Sequence, residues 1–371
     1  MNKKLIALAV AGASLAPVVA SAQTANPVTL YGRAMVMFES VKADGGSATP
    51  LPSRNRVSDV GPSFIGVRGT EDVGGGLKAF FQAEFGFRLD DNVAGNQTPF
   101  SGRNSGVGLQ GAFGSVLLGR WDTPWKVATI QIDPYGDTSM GGLTTGINDR
   151  GNFDRRETNV VQYWTPNMSG FQGRASYAAN EGRTALVNPS STSFSGTYTQ
   201  GPFYAGIAWE RHKDQYKPYT GAVAAAAGAS ERGQAIFGSV KLGDFKLGAM
   251  AQKFKKENPA NGIASLTTQA RAQMFSATYT AGKNVFIYSY INNKDSTFAT
   301  AGTAPLPAEA VCKVNTLGYN YEFSRRTTFL AQYVQIKNNV TALCNLASNG
   351  LAGLSADQDP RGFAVGFKHL F

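Results

Sequence analysis

Two cysteines and two histidines in 371 residues leave little material for thiol or metal chemistry. Cys312 and Cys344 share no metal-ligand spacing with either histidine, which argues against a zinc site. His212 and His369 fall into no arrangement with a serine and a carboxylate that would suit a hydrolase. No apolar run approaches the roughly 20 residues that a membrane helix needs. The net charge of +10 is spread along the chain and not gathered into a stripe, which disfavours nucleic acid. No linker or shift in composition marks a second domain. GVGLQG (106–111) has dinucleotide-site spacing, but AFGSVLLGR (112–120) after it reads as a turn and a strand where such a site needs a helix.

What is present is short-period alternation. Residues 1–22 read as a secretory signal. Lys3 and Lys4 precede an apolar stretch from Leu5 to Ala16, and Ala20-Ser21-Ala22 fits a small-residue cleavage site before Gln23. Removing them leaves 349 residues, 23–371, as one domain, and the loss of two lysines lowers the charge to +8. In VTLYGRAMVMFE (28–39), Leu30, Ala34, Val36 and Phe38 oppose Tyr31, Arg33 and Glu39. In LKAFFQAEFGFR (77–88), Ala79, Phe81, Ala83, Phe85 and Phe87 oppose Lys78, Gln82, Glu84 and Arg88. Arg68, Arg174, Lys246 and Lys368 alternate with apolar neighbours in the same way, as do Glu210 and Glu322. The chain ends on RGFAVGFKHLF, where Phe363, Val365, Phe367, His369 and Phe371 share one face. A terminal strand that apolar is hazardous as an open edge. Pairing with the first strand would close a ring with grease outside and polar groups inside.

Connections alternate in length. Short ones fall at 72–76, 111–114, 166–170, 201–202, 243–244, 280–283 and 324–327. Long ones fall near 40–57, 89–102, 122–157, 181–192, 213–231, 256–268, 294–314 and 338–360, with the alanine-rich Ala222–Ala229 inside one of them. Seven turns and eight loops predict a sixteen-stranded antiparallel up-and-down barrel, all β, wide enough for a water-filled channel. Tyr31, Trp121, Trp164, Trp209, Tyr279 and Phe371 are expected at the interfacial girdles.

RGTEDVGGGLKAFFQAEF (68–85), YWTPNMSGFQ (163–172), SRRTTFLAQY (324–333), VTLYG (28–32) and the ending GFKHLF (366–371) resemble the Gram-negative general porins of the beta-proteobacterial and neisserial type. The resemblance covers residues 28 to the end. It implies a homotrimer of outer-membrane barrels in contact with lipid and lipopolysaccharide, passing small hydrophilic solutes and inorganic ions. No cofactor, nucleic acid or catalysis is implied. It further implies that the third long loop folds into the lumen.

Alternation does vanish over 122–157. The loop's Asp133, Asp137, Asp149, Arg150, Arg155 and Arg156, with Asp154, are expected to face a basic wall carrying Arg33, Arg68, Arg88 and Lys78 beside Glu84. Excess cationic wall groups favour anions weakly. Gln162 stands where family members often hold a wall residue, and here it is uncharged. A substrate-specific channel would need an aromatic stripe that the loops lack, and an outer-membrane hydrolase a convergent triad or acidic metal cluster. A surface adhesin using the loops is compatible with a channel. Cys312 and Cys344 flank two hairpin-paired strands at their loop ends, so a disulfide between the seventh and eighth loops is expected after export.

Overall fold

The computed structural model describes residues 28–46, 49–59, 61, 63–90, 102–136, 140–143, 153–179, 181–216, 224–258, 266–299, 309–346 and 350–371. Seventeen strand segments form one antiparallel sheet that closes on itself. They are β1 (Thr29–Asp44), β2 (Leu51–Ser58), β3 (Ser63–Gly74), β4 (Leu77–Phe87), β5 (Ser105–Gly111), β6 (Gly114–Asp122), β7 (Arg156–Trp164), β8 (Phe171–Ala179) and β9 (Ser190–Gln200). The series continues with β10 (Phe203–Tyr216), β11 (Ala224–Leu242), β12 (Phe245–Asn258), β13 (Leu266–Ala281), β14 (Asn284–Ala299), β15 (Ala310–Glu322), β16 (Thr327–Asn338) and β17 (Asp359–Leu370).

The ring is sealed between β1 and β17, in register from Arg33↔Leu370 to Asp44↔Asp359. Two backbone hydrogen bonds, Gly32 N to Phe371 O at 2.9 Å and Phe371 N to Gly32 O at 3.1 Å, extend the seam to the last residue. No sheet edge is left there, which is the condition for strands to lie in lipid. β2 and β3 share one place in the wall. β1 pairs with β3 through Thr29–Arg33 and with β2 between Met37 and Ala43. Ser63 bridges the break, its Oγ accepting from Met35 N at 3.0 Å and donating to Met35 O at 3.2 Å. Seventeen segments therefore make the expected sixteen-stranded barrel.

Alternation sets the outer surface. Phe203, Ile207, Ile236, Phe245, Leu247, Phe275, Phe286, Leu317, Phe363 and Phe367 are all exposed outward. Phe245, Tyr279, Phe286 and Tyr319 stand directly opposite one another on β12–β15. Their ring centroids lie 4.6, 6.3 and 5.4 Å apart, a continuous aromatic row near the short-turn end. Two of those turns place Gly201 and Gly243 at φ of 54° and 59°, a region that favours glycine.

Several expectations are corrected. The first loop is shorter than 40–57, because β1 continues to Asp44 and Leu51–Ser58 is a strand. Ala224–Ala229 lie in β11 and not in a loop. Tyr31 and Trp164 leave the girdles for the lumen, where Tyr31 hydrogen-bonds Glu84 and Trp164 hydrogen-bonds Gln162. Both rings sit at strand ends, where sequence cannot separate a girdle position from a mouth position.

The inner face is not uniformly polar. Met35, Met37, Val41 and Ala43 on β1 point inward and are buried, together with Phe254, Ala272, Met274, Ile291, Val314, Val334 and Ile336. They join Trp125, Ile132, Met140, Leu143 and Phe153 of the third loop in one apolar cluster inside the ring.

Candidate pore constriction

The third loop begins with a short helix, α1 (Pro124–Thr129), followed by a 3-10 turn at Ile130–Ile132. Thr123 caps α1 by accepting from Lys126 N at 3.3 Å, and Pro124 fits a first-turn position that has no partner for an N–H. The chain then follows the inner wall strand by strand. Trp125 N donates to Ser193 Oγ of β9 at 3.1 Å. Tyr204 OH of β10 donates to Ala128 O at 2.8 Å, and Lys246 Nζ of β12 to Gln131 O at 3.2 Å. Ser276 Oγ of β13 donates to Ile132 O at 3.1 Å. On β15, Tyr135 OH donates to Thr316 O at 3.1 Å and Thr316 Oγ1 donates to Gly141 O at 2.9 Å. Burial and the neighbouring Asp133 carboxylate push the Tyr135 phenol above its ordinary range, so it keeps the proton it donates.

Apolar contacts hold the same path. Trp125 lies 5.4 Å from Phe153 and 5.9 Å from Phe254 of β12, ring centroid to centroid. Phe153 stacks on His212 of β10 at 4.7 Å. Gly233 makes the seat for Phe153, since a Cβ there would lie 2.9 Å from Phe153 Cδ1. His212 is fully buried, with Nε2 2.8 Å from Glu210 and Nδ1 2.8 Å from Glu231. His212 links the two carboxylates, and Glu210 is buried against it away from open lumen.

The strands from β2 to β8 carry the polar groups expected of a pore wall. On β1, β3 and β4, Glu84 is ringed by cations and aromatic rings. Tyr31 OH donates to Glu84 Oε1 at 2.9 Å, and Arg103 Nε is 3.5 Å from Oε2. Arg68 lies over the Tyr31 ring at 4.7 Å, while Arg103 and Arg33 lie over Phe64 at 4.8 and 5.6 Å. Glu39 is held by Arg56 at 2.7 Å. Below α1, a cavity of about 480 Å³ opens against β8–β12. Its described lining includes Arg174, Lys241 and Lys246 and no carboxylate. Lys241 and Lys246 stand directly opposite each other across a two-residue turn.

The anticipated site residues divide into groups. Arg33, Arg68 and Glu84 come together as described. Arg88 is occupied by Asp90 at 3.2 Å. Lys78 pairs with Asp72 next to the turn at 75–76, so it marks the short-turn mouth and not loop height. Asp133 turns away from the lumen, accepting from Tyr135 N and Leu143 N at 3.0 Å each. Arg155 bonds Glu157 and Gln215, and Arg156 bonds Asp122 and Asn104 at the loop's root. Asp154 pairs with Lys126 at 3.5 Å. Asp137, Asp149 and Arg150 lie outside the described residues. Of the four loop carboxylates expected to face a basic wall, the two among the described residues, Asp133 and Asp154, bond groups of the loop itself. Gln162 is buried, its Nε2 donating to Asp122 O at 2.8 Å. Arg103, Asn104, Asp122 and Lys241 were missed. Arg103 and Asn104 sit at the junction of a loop and a short strand, beyond the reach of alternation. Lys241 was legible, because KLGDFK places two lysines on one face across a tight turn.

The Gram-negative porin profile matches residues 7–341. The chain belongs to that family. The porin is 29% identical over 388 residues to outer membrane porin protein 32 of Delftia acidovorans, covering 100% of both chains. It is 34% identical over 219 residues to the major outer membrane protein P.IB of Neisseria meningitidis, covering 58% of this chain and 61% of that one. Among solved structures, an anion-selective porin from Comamonas acidovorans superposes with a TM-score of 0.76 at 26% identity, covering 93% of this chain and all of the other. The porin is thus a multi-pass protein of the outer membrane that forms a diffusion channel, and its in-folded loop narrows the lumen.

Proposed function

We propose that this channel is a general diffusion porin with weak anion preference, passing small hydrophilic solutes and inorganic ions and carrying no catalysis. The observation that carries the selectivity is charge placement. The chamber beneath α1 is lined by Arg174, Lys241 and Lys246 without a described carboxylate. On the uncovered wall, Glu84 is paired with Arg103 at 3.5 Å, while Arg33 and Arg68 stand over the neighbouring Phe64 and Tyr31 rings. Of the other acids on the described wall, Glu39, Glu157 and Glu210 are each bonded to a basic group, while Glu322 is exposed at the short-turn end. Fixed cations with neutralised acids lower the barrier for anions. The anion-selective title of the Comamonas structure accords with that sign. Reversal potential across a planar bilayer under a potassium chloride gradient is the test. An anion-preferring sign is expected, and a cation-preferring sign overturns the proposal.

The same reading takes residues 1–22 as an export signal removed before Gln23, leaving 23–371 as one domain. N-terminal sequencing of the mature protein checks it. It takes the working unit as a homotrimer in contact with outer-membrane lipid and lipopolysaccharide. Mass measurement of the detergent-solubilised protein checks the subunit number.

A further inference from the structure

The loops lack an aromatic stripe, but the wall beside and beneath the third loop carries aromatic rings. Tyr204 of β10 is half-buried, with its ring stacked on Phe237 of β11 at 5.8 Å. Gly206 makes room for that stack, since a Cβ there would lie 2.7 Å from Phe237 Cε2. The Tyr204 hydroxyl is spent on Ala128 O of α1, so the ring is fixed at its tip and on one face. Trp164 of β7 is held in a similar way. Its Nε1 donates to Gln162 Oε1 at 3.0 Å, and the Phe80 and Trp121 rings lie 6.4 and 5.8 Å from it.

Arg174 of β8 belongs to both groups. It stands directly opposite Trp164 on the neighbouring strand, and its guanidinium lies 5.6 Å from the Trp164 ring centroid. Its Nη2 donates to Gln172 Oε1 at 2.9 Å, while its Nε finds no acceptor among the described residues. On its other side, Arg174 lines the cavity of about 480 Å³ together with Tyr204. Ala128 and Gln131 of the third loop border that cavity, and Lys246 ties its wall to Gln131 O. The chamber thus offers a guanidinium oriented by Trp164, an aromatic ring oriented by Phe237, and no carboxylate among its described lining. A mineral or saturated anion uses the charge alone. An aromatic acid uses everything present: its carboxylate accepts two N–H bonds from the guanidinium fork, and its ring lies against the phenol.

We propose that this chamber is a subsite for aryl carboxylates, with the carboxylate on Arg174 and the ring against Tyr204, so that the channel favours aromatic acids over saturated acids of equal charge. Lys241 and Lys246 flank the turn at 243–244 and draw the anion to the short-turn mouth. A single fork and a single ring hold it weakly enough for release, as permeation requires. The proposal rests on the anion preference inferred above and names the solute class that this part of the lumen selects.

The test is block of single-channel potassium chloride current in a planar bilayer. The probes are benzoate, cyclohexanecarboxylate, benzyl alcohol and inorganic phosphate, each added on both sides. Benzoate is expected to reach half-block at a concentration at least about threefold below cyclohexanecarboxylate, the advantage of an aromatic contact beyond its area. Benzyl alcohol, a ring without charge, should block far less than benzoate. These comparisons use the parent protein and need no variant to fold. Arg174→Gln should raise the half-block concentration of benzoate by about tenfold. Tyr204→Leu should bring the two carboxylates to within about 1.5-fold of each other, with both still blocking. Equal block by the two carboxylates in the parent overturns the proposal, as does benzyl alcohol or phosphate blocking as readily as benzoate. So does an Arg174→Gln pore with unchanged benzoate block, or a Tyr204→Leu pore that keeps the aromatic preference. Reversal potential of the parent keeps the two readings apart. A cation-preferring sign sinks the anion preference itself, whereas an anion-preferring pore indifferent to aromaticity sinks this assignment alone.

Discussion

The two halves of the barrel wall follow different rules on their inner faces. From β2 to β8 the inward residues are those of a pore: Arg56, Arg68, Glu84, Gln162 and Arg174. From β10 round to β1 they are Phe254, Met274, Ile291, Val334 and Met37, all buried under the third loop and the segment after β16. On β13 the usual polarity is inverted, with Arg271 and Gln273 outward and Ala270, Ala272 and Met274 inward. Inward positions are polar where water reaches them, and under the loop only where a partner meets them, as His212 meets Glu210 and Glu231. Where a loop lies on the wall, the inside of the barrel becomes a protein core and selects apolar residues as any core does.

The strongest way to break this contrast is to detach the loop from the covered wall. Phe153→Ala removes the ring that joins Trp125, Phe254 and His212, and a truncation of that size costs about 3–5 kcal/mol. A raised and noisier single-channel conductance is expected, and unchanged current traces would mean that the loop is held by its hydrogen bonds alone. Next is the covered mouth. Cys312 of β15 and Cys344, in the segment after β16, are disulfide-bonded with Cα atoms 6.3 Å apart, so the bond ties a strand to the eighth loop and not loop to loop. Asn338 reinforces it by accepting from Cys344 N and donating to Cys344 O. Replacing both cysteines with serine should lower stability by about 3–4 kcal/mol, read as a fall in Tm, with little change in conductance. Non-reducing mass spectrometry of the parent should show no free thiol.

The bare wall is sharpened by charge removal. Arg68→Gln should move the anion-to-cation permeability ratio toward cations by about fivefold, since one charge across a wet lumen is worth on the order of 1 kcal/mol. Lys78→Gln, at the short-turn mouth, should change it by less than about 1.5-fold because screening there is greatest. Equal effects at the two sites would mean that selectivity is spread along the pore and not concentrated beside the loop.

Much of the fold was legible in residue order. The closing strand, the short turns and the 122–157 interruption follow from alternation, because lipid and water impose opposite demands on successive side chains. The loop-lined half was not legible, since an inward Met35 or Val334 looks like a break in the pattern until its cover is known.

Sequence by itself therefore determined the barrel, its strand count and its seam at Phe371, because these depend on local alternation and turn chemistry. Tertiary structure alone decided which charges face water. Asp133 was spent on Tyr135 and Leu143 backbone, Arg155 and Arg156 on partners at the loop's root, and Glu84 on Tyr31 and on Arg103 from a separate segment. Those outcomes depend on contacts between residues tens of positions apart, which no reading of neighbours can supply.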